Sequence, residues 1–510
     1  MKLPSFTLVP QLDRSPRWVA FAQTIPGKLS LVLSFAGLLY LHDFFLWWLI
    51  SLYLLIFSLW PHHRWRILFA ATWSFLLLGP TPFAWERINA LFRQTGVTWQ
   101  INTAPEGLPL VLSAIFCIAL YLWLVRKRFL ARFLKRPVMV LVCLYLSLML
   151  IASYAPLLPS VRAFLWAFLV IFGNYLWFAC YSLKECRGPN PAPITRQFGQ
   201  YLPFWSPTVI PYPKGSGYLQ RIEVKNAEEL AVCQLKGLKL LMWALWLKLF
   251  AVIIKITLYG YGELLHSRLQ FKRELGTIQL FFDGSYLQDL VTLPFSGLLP
   301  RYEIAFSLAI SGSPLPWHIN WFSLVADFLY VLLYVAFTTH SLIAIIRMCG
   351  FKALRNTYRP LASKTIAEFW NRYFYYFKEL LVEFFFYPVF FRYFKKRPRL
   401  RTYTATMAAA FFGNFLFHFM LDIWYVIELG FFEAMIAFHS YFVYCFVLGN
   451  VIFLSQWRQE KINRQTIGAV SRFFAPVRVL GFYCLLSIFI DTRRESVSDN
   501  IVFLLSLLPF

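Results

Sequence analysis

Apolar runs long enough to cross a bilayer recur along almost the whole chain, separated by short and mostly basic loops. They fall near residues 29–59, 66–84, 108–125, 137–158, 161–183, 238–260, 301–312 with 321–348, 403–426, 431–455 and 471–491. A crossing helix needs about 20 such residues, so the tail 501–510 is too short to cross alone. The pattern predicts an all-α polytopic membrane protein of about 10–12 transmembrane helices, with interfacial or re-entrant pieces besides. Residues 1–28 form a polar N-terminal segment. No Gly/Ser or Pro-rich linker divides 29–510, which reads as one integral domain without internal repeats.

Three stretches break the pattern. Residues 187–230 are polar and proline-rich, with aromatics suited to a loop on the membrane interface. Residues 275–300 suit a re-entrant piece, whose backbone must be shielded by protein. Residues 369–394, "FWNRYFYYFKELLVEFFFYPVFFRYF", mix Phe and Tyr with Arg372, Lys378, Glu379, Glu383 and Arg392. That mixture is wrong for a lipid-facing midplane helix. It suits one lying at the interface or bent into the core.

Composition agrees with the pattern: 59% of residues are hydrophobic and 14% charged, too apolar for a soluble globule. The net charge of +25 would suggest nucleic acid in a soluble protein. Here the cations cluster in "RKRFLARFLKR" (126–136), "RYFKKRPRLR" (392–401) and "RQEKINRQ" (458–465), as cytoplasmic loops do. The partner implied is the lipid bilayer and not nucleic acid. Residues 126–136 and 184–197 flank the hairpin 137–183 and belong on the same, cytoplasmic, side. None of the eight cysteines forms a CxxC pair, and no ligand cluster calls for a metal. The polar N-terminus also lacks the form of a cleavable signal.

One polar stripe interrupts an oily helix. If 403–426 is helical, Asn414, His418 and Asp422 are spaced four apart and share a face. Ala410 extends that stripe with a small side chain. His418 then lies about 21 Å along the axis from Thr404. Polar groups at such depth are costly and want partners. Asp422 could accept from one ring nitrogen and leave the other as a base. A neutral, buried imidazole making an interhelical hydrogen bond satisfies the same spacing. His340, deep in 321–348, is a secondary candidate.

The stretch "IRMCGFKALRNTYRPLASKTIAEFWNRYFYYFKELLVEFFFYP", 346–388, resembles the central signature of the membrane-bound O-acyltransferase family. The likeness is closest to the bacterial branch of alginate O-acetyltransferases and the teichoic-acid D-alanyltransferase, and with the following helix it spans 346–425. Arg347, Met348, Gly350, Phe351, Asn356, Ala362, Ile366, Glu368, Phe369, Trp370, Arg372 and Pro388 fall on its positions. The family's characteristic histidine follows some thirty residues after Pro388, where His418 stands. The resemblance makes His418 the catalytic residue, with Asn414 and Asp422 as supporting groups. Trp370, Asn371, Arg372, Phe374 and His340 are then candidates for the pocket. Departures are also plain. Phe374 stands where the family has a polar His or Asn, Val382 where it has Arg, Phe419 where it has Gly, and His340 at an acidic position.

The resemblance implies acyl transfer, acetyl included, from a thioester to a hydroxyl of a cell-surface polysaccharide or lipid at a bacterial inner membrane. It implies no bound cofactor: acyl-coenzyme A or an acyl carrier protein is the co-substrate, and carrier or polysaccharide-modifying proteins are the expected partners. Phe374 and Phe419 support an alternative, an inactive relative that serves as a membrane scaffold or partner subunit.

Overall fold

The computed structural model describes residues 8–78, 83–127, 136–186, 203–205, 210–259, 298–461, 469–490 and 495–509. Its helices are α1 (Pro16–Gln23), α2 (Ile25–Leu41), α3 (Trp47–Leu59), α4 (Arg64–Leu78), α5 (Trp85–Gln94), α6 (Ala104–Arg126), α7 (Pro137–Tyr154) and α8 (Pro159–Glu185). Then come α9 (Ser216–Ile222), α10 (Ala227–Tyr259), α11 (Tyr302–Ile310), α12 (Trp317–Met348), α13 (Ile366–Tyr373), α14 (Tyr375–Leu381) and α15 (Tyr387–Phe390). The C-terminal third holds α16 (Pro398–Thr406), α17 (Asn414–Leu421), α18 (Ile423–Leu429), α19 (Phe431–Ala437), α20 (His439–Lys461), α21 (Ala469–Leu486) and α22 (Val497–Leu505). No strand occurs among the described residues; Glu223 and Phe351 make an isolated bridge.

The chain is an all-α, multi-pass membrane protein. Seven helices among the described residues are long and apolar enough to cross a bilayer: α6, α7, α8, α10, α12, the continuous 398–421 and α20. An eighth is possible if α1 and α2, bent by 101° at their junction, count as one broken span. Large apolar side chains stand exposed on lateral faces, among them Leu33, Phe116, Met139 and Ile436. Lipid rather than water is the solvent that tolerates such faces.

α8 and α12 are the buried axes, each with 78% of its most apolar stretch inside the protein. Around α8 pack α6, α7, α14 and α17 through Tyr145, Trp166, Trp177, Leu380 and Phe417. Around α12 pack α2, α3, α4 and α10 through Phe35, Leu54, Leu68 and Leu241. The hairpin 137–183 forms as α7 and α8, close to its expected bounds.

Other runs are more broken than their hydrophobicity suggests. The run 29–59 is two helices, because Asp43 and Leu46 adopt positive φ between them. The run 431–455 is likewise divided into α19 and α20. The aromatic segment 369–394 folds as α13, α14, a π-helical turn Val382–Phe386 and α15. Its Phe377, Leu380 and Leu381 are buried, so it bends into the core, while residues 391–399 are exposed. The re-entrant expectation for 275–300 lies almost wholly outside the described residues, as does much of 187–230.

The expectation for 403–426 needs correction. The helix is α up to Thr406, π-helical over Met407–Gly413, and α again from Asn414 to Leu421, where it stops. Asp422 sits at the break with φ −89° and ψ 45°. Close packing accompanies the π turn. A Cβ on Gly413 would come within 2.6 Å of the Phe385 ring, which belongs to the other π-helical turn. π turns inside α-helices are rare and concentrate at functional sites.

Candidate functional site

His418 is half-buried one turn before the helix break. Three rings surround it: Tyr441 of α20 at 4.8 Å between centroids, Phe417 at 5.5 Å, and Phe377 of α14 edge-on at 5.7 Å. One turn earlier, Asn414 is fully buried. Its Oδ1 accepts a 3.2 Å hydrogen bond from the Tyr441 hydroxyl, and its Nδ2 has no partner. A buried amide donor left unmade costs about 1–3 kcal/mol, and such orphans in a folded protein call for an explanation. Trp370 presents a second one: its indole Nε1 is buried and unpartnered, and its ring lies 5.9 Å from Phe377.

The break between α13 and α14 puts these rings in place. It falls at Phe374 (φ −124°, ψ 60°) and is held by the loop before α13. Asn356, itself buried, accepts from Tyr376 N through Oδ1 at 3.1 Å and donates to Tyr373 O from Nδ2 at 3.4 Å. Thr357 Oγ1 donates to the same carbonyl at 2.8 Å. Asn356→Ala should therefore cost about 1–3 kcal/mol through the orphaned Tyr376 amide. A lower thermal midpoint in detergent would show it; an unchanged midpoint would contradict the clamp.

Several signature residues are thus structural. Arg347 donates to Ala353 O from Nε and Nη2 at 3.0 and 2.8 Å. Gly350, at φ +86°, lies where a Cβ would meet the Arg64 guanidinium at 2.8 Å. That guanidinium donates to Cys349 O and Glu223 Oε1. Arg372 pairs with Glu368 at 2.7 Å along α13, a helix-surface ion pair rather than a pocket group. Asn371 is exposed.

Of the stripe expected from spacing, Asn414 and His418 stay one turn apart, and the Asp422 amide still donates to His418 O at 3.0 Å. The continuous face ends there, because the helix stops at Leu421. Phe374 packs on Tyr373 and Trp370 at 4.2 and 6.3 Å. Phe419 is buried among Phe431 and Phe438. His340 is buried on α12, where Arg347 and Arg355 are the charges acting on it. Tyr441 and Phe377 were missed by sequence reasoning. Tyr441 lies 23 residues beyond His418 on another helix, and nothing local marks it.

Behind α14 lies a knot of charge. Lys214 bonds both Glu379 and Glu383, the latter at 3.0 Å, while Lys378 holds Glu379 and Lys184 holds Glu383. Burial opposes ionisation of Glu379, yet the Lys214 and Lys378 bonds overcome it and keep the carboxyl below its usual range. Burial likewise opposes the Lys214 charge, and its two carboxylates outweigh that and raise its pKa. The described residues hold no group of three or more His, Cys, Asp or Glu able to bind a metal.

No protein-family model matches the chain, and a search of curated proteins finds no match either.

Proposed function

We propose that the protein is a membrane-bound O-acyltransferase with His418 as general base. The observation that carries the reading is the pairing of a half-buried His418 with a fully buried Asn414 whose Nδ2 is unpartnered. Acyl transfer needs both kinds of group. The imidazole takes the proton of an acceptor hydroxyl, a contribution of about 10²–10⁴ in rate. The hydroxyl oxygen then bonds to the thioester carbonyl carbon, and negative charge develops on the carbonyl oxygen. A preplaced N–H donor stabilises that charge, and Asn414 Nδ2 is the one adjacent to His418. When the C–S bond breaks, the thiolate leaves with the proton held by the imidazolium. The family resemblance of 346–425 makes the acceptor a cell-surface polysaccharide or lipid, the membrane a bacterial inner membrane, and the donor acyl-coenzyme A or an acyl carrier protein.

The test uses membranes containing the protein, incubated with radiolabelled acetyl-coenzyme A or with acyl carrier protein bearing a labelled acetyl group. Alkali-labile label should build up above that in membranes lacking the protein. No label from either donor overturns acetyl transfer. A second reading, a non-catalytic scaffold, rests on Phe374, an aromatic packed on Trp370 where the family has a polar side chain.

A further inference from the structure

Between α15 and α16 the chain makes a tight reversal. Phe394 adopts φ 51°, and Arg397 N donates to its carbonyl at 2.9 Å. This folds Lys395, Lys396 and Arg397 back toward Arg392, and with Phe394 they line a depression of about 460 Å³. No Asp or Glu occurs between Glu383 and Asp422. Among the described residues none of these four cations forms an ion pair, and all are exposed. The two neighbouring arginines are engaged elsewhere: Arg401 stacks on Phe390 at 4.3 Å, and Arg399 lies over Trp457 at 5.9 Å.

We propose that this depression binds the headgroup of a lipid carrying two phosphates. Like charges gathered without counter-charges repel one another, and an anion in their midst removes that cost. A single phosphodiester would neutralise one of four charges, whereas a diphosphatidyl headgroup matches the excess better. The surroundings assign the ligand to a bilayer. Tyr387, Phe391, Tyr393 and Phe394 are exposed beside the depression, and the apolar span 398–421 begins at its edge. Aromatic rings next to a basic cluster at the mouth of a span mark headgroup level. The proposal is independent of any acyltransferase activity.

Native mass spectrometry of the detergent-purified protein tests it, with cardiolipin, phosphatidylglycerol, phosphatidylcholine and inorganic pyrophosphate as probes. One cardiolipin should be retained in preference to the other two lipids. Each surface cation contributes roughly fivefold to binding an anionic lipid surface, so Lys395→Gln/Lys396→Gln should weaken retention by about 25-fold. Adding Arg392→Gln and Arg397→Gln should abolish it. The control Lys225→Gln/Lys236→Gln, at exposed positions on α10 and just before it, should retain the lipid. Equal binding of cardiolipin and phosphatidylglycerol overturns the proposal, as does retention by the quadruple variant or loss in the control. Displacement by equimolar pyrophosphate would make the ligand a soluble phosphate and overturns the lipid assignment.

Discussion

His418→Ala should reduce acyl transfer by about 10²–10⁴, the span over which a positioned base contributes. The measurement is alkali-labile label transferred in membranes carrying equal amounts of wild-type and variant protein. Because His418 is half-buried and ringed by Tyr441, Phe417 and Phe377, its loss removes edge-on ring packing but no core volume comparable to a buried Phe. The thermal midpoint should therefore change little. Asn414→Leu should also impair transfer, by about 10²–10³ if Nδ2 faces the developing oxyanion. Its midpoint should change little, since removing the unpartnered Nδ2 offsets the loss of the Tyr441 hydrogen bond to Oδ1. Tyr441→Phe separates orientation from chemistry: it leaves the imidazole intact and frees the Asn414 carboxamide to turn. Transfer at the wild-type rate in His418→Ala would remove the base. A fall in midpoint parallel to the fall in activity would make the site structural, as the scaffold reading requires.

Fold class was readable because lipid-facing helices must be apolar over a fixed length, and α6, α7 and α8 satisfy that without local exceptions. The interruptions were harder to read. Positive φ at Asp43 and Leu46 divides an apolar run in which the His42–Asp43 pair is the outward sign of the break. The π turn at Met407–Gly413 has only a run of small residues as its outward sign, and the Phe385 ring that lies against its Gly413 comes from a distant segment. Four-residue spacing still brought Asn414 and His418 together, since both lie on α17 after the π turn. The same spacing failed for a continuous stripe through Asp422, where the helix stops. Tyr441 could be found only in three dimensions, because its hydroxyl meets Asn414 across two helices. The signature residues Arg347, Gly350 and Asn356 stand out in the sequence, but their contacts fix loops and helix breaks around the site.

Lys214→Met should destabilise the protein by about 3 kcal/mol at neutral pH, the lower end of the cost of breaking a buried ion pair. Lys214 is only 11% exposed in its side chain and serves two carboxylates, 20% and 15% exposed. The lower end applies because Lys378 and Lys184 still hold Glu379 and Glu383 after the change. Acid should narrow the gap between variant and wild type. The folded pKa of Glu379 is depressed, so its stabilising contribution is present above the ordinary carboxylate pKa and is lost as pH falls through the folded value. Lys214 has the opposite sense: its pKa is raised, so its contribution is complete below the ordinary lysine pKa and is lost as pH rises through the folded value. Denaturation midpoints in detergent at pH 7 and near pH 3 should therefore show a large difference between the two proteins at the first and a small one at the second. A gap that stays the same in acid would mean that Lys214 acts through its contact with the Tyr218 ring rather than through the two carboxylates. The effect should also reach the site. Glu379 and Phe377 share α14, and Glu383 lies in the first half of the π turn that carries Phe385 against Gly413. Loosening the knot behind α14 thus loosens the ring that faces His418, and the double variant Lys214→Met/Glu379→Gln should lose less stability than the two single losses summed.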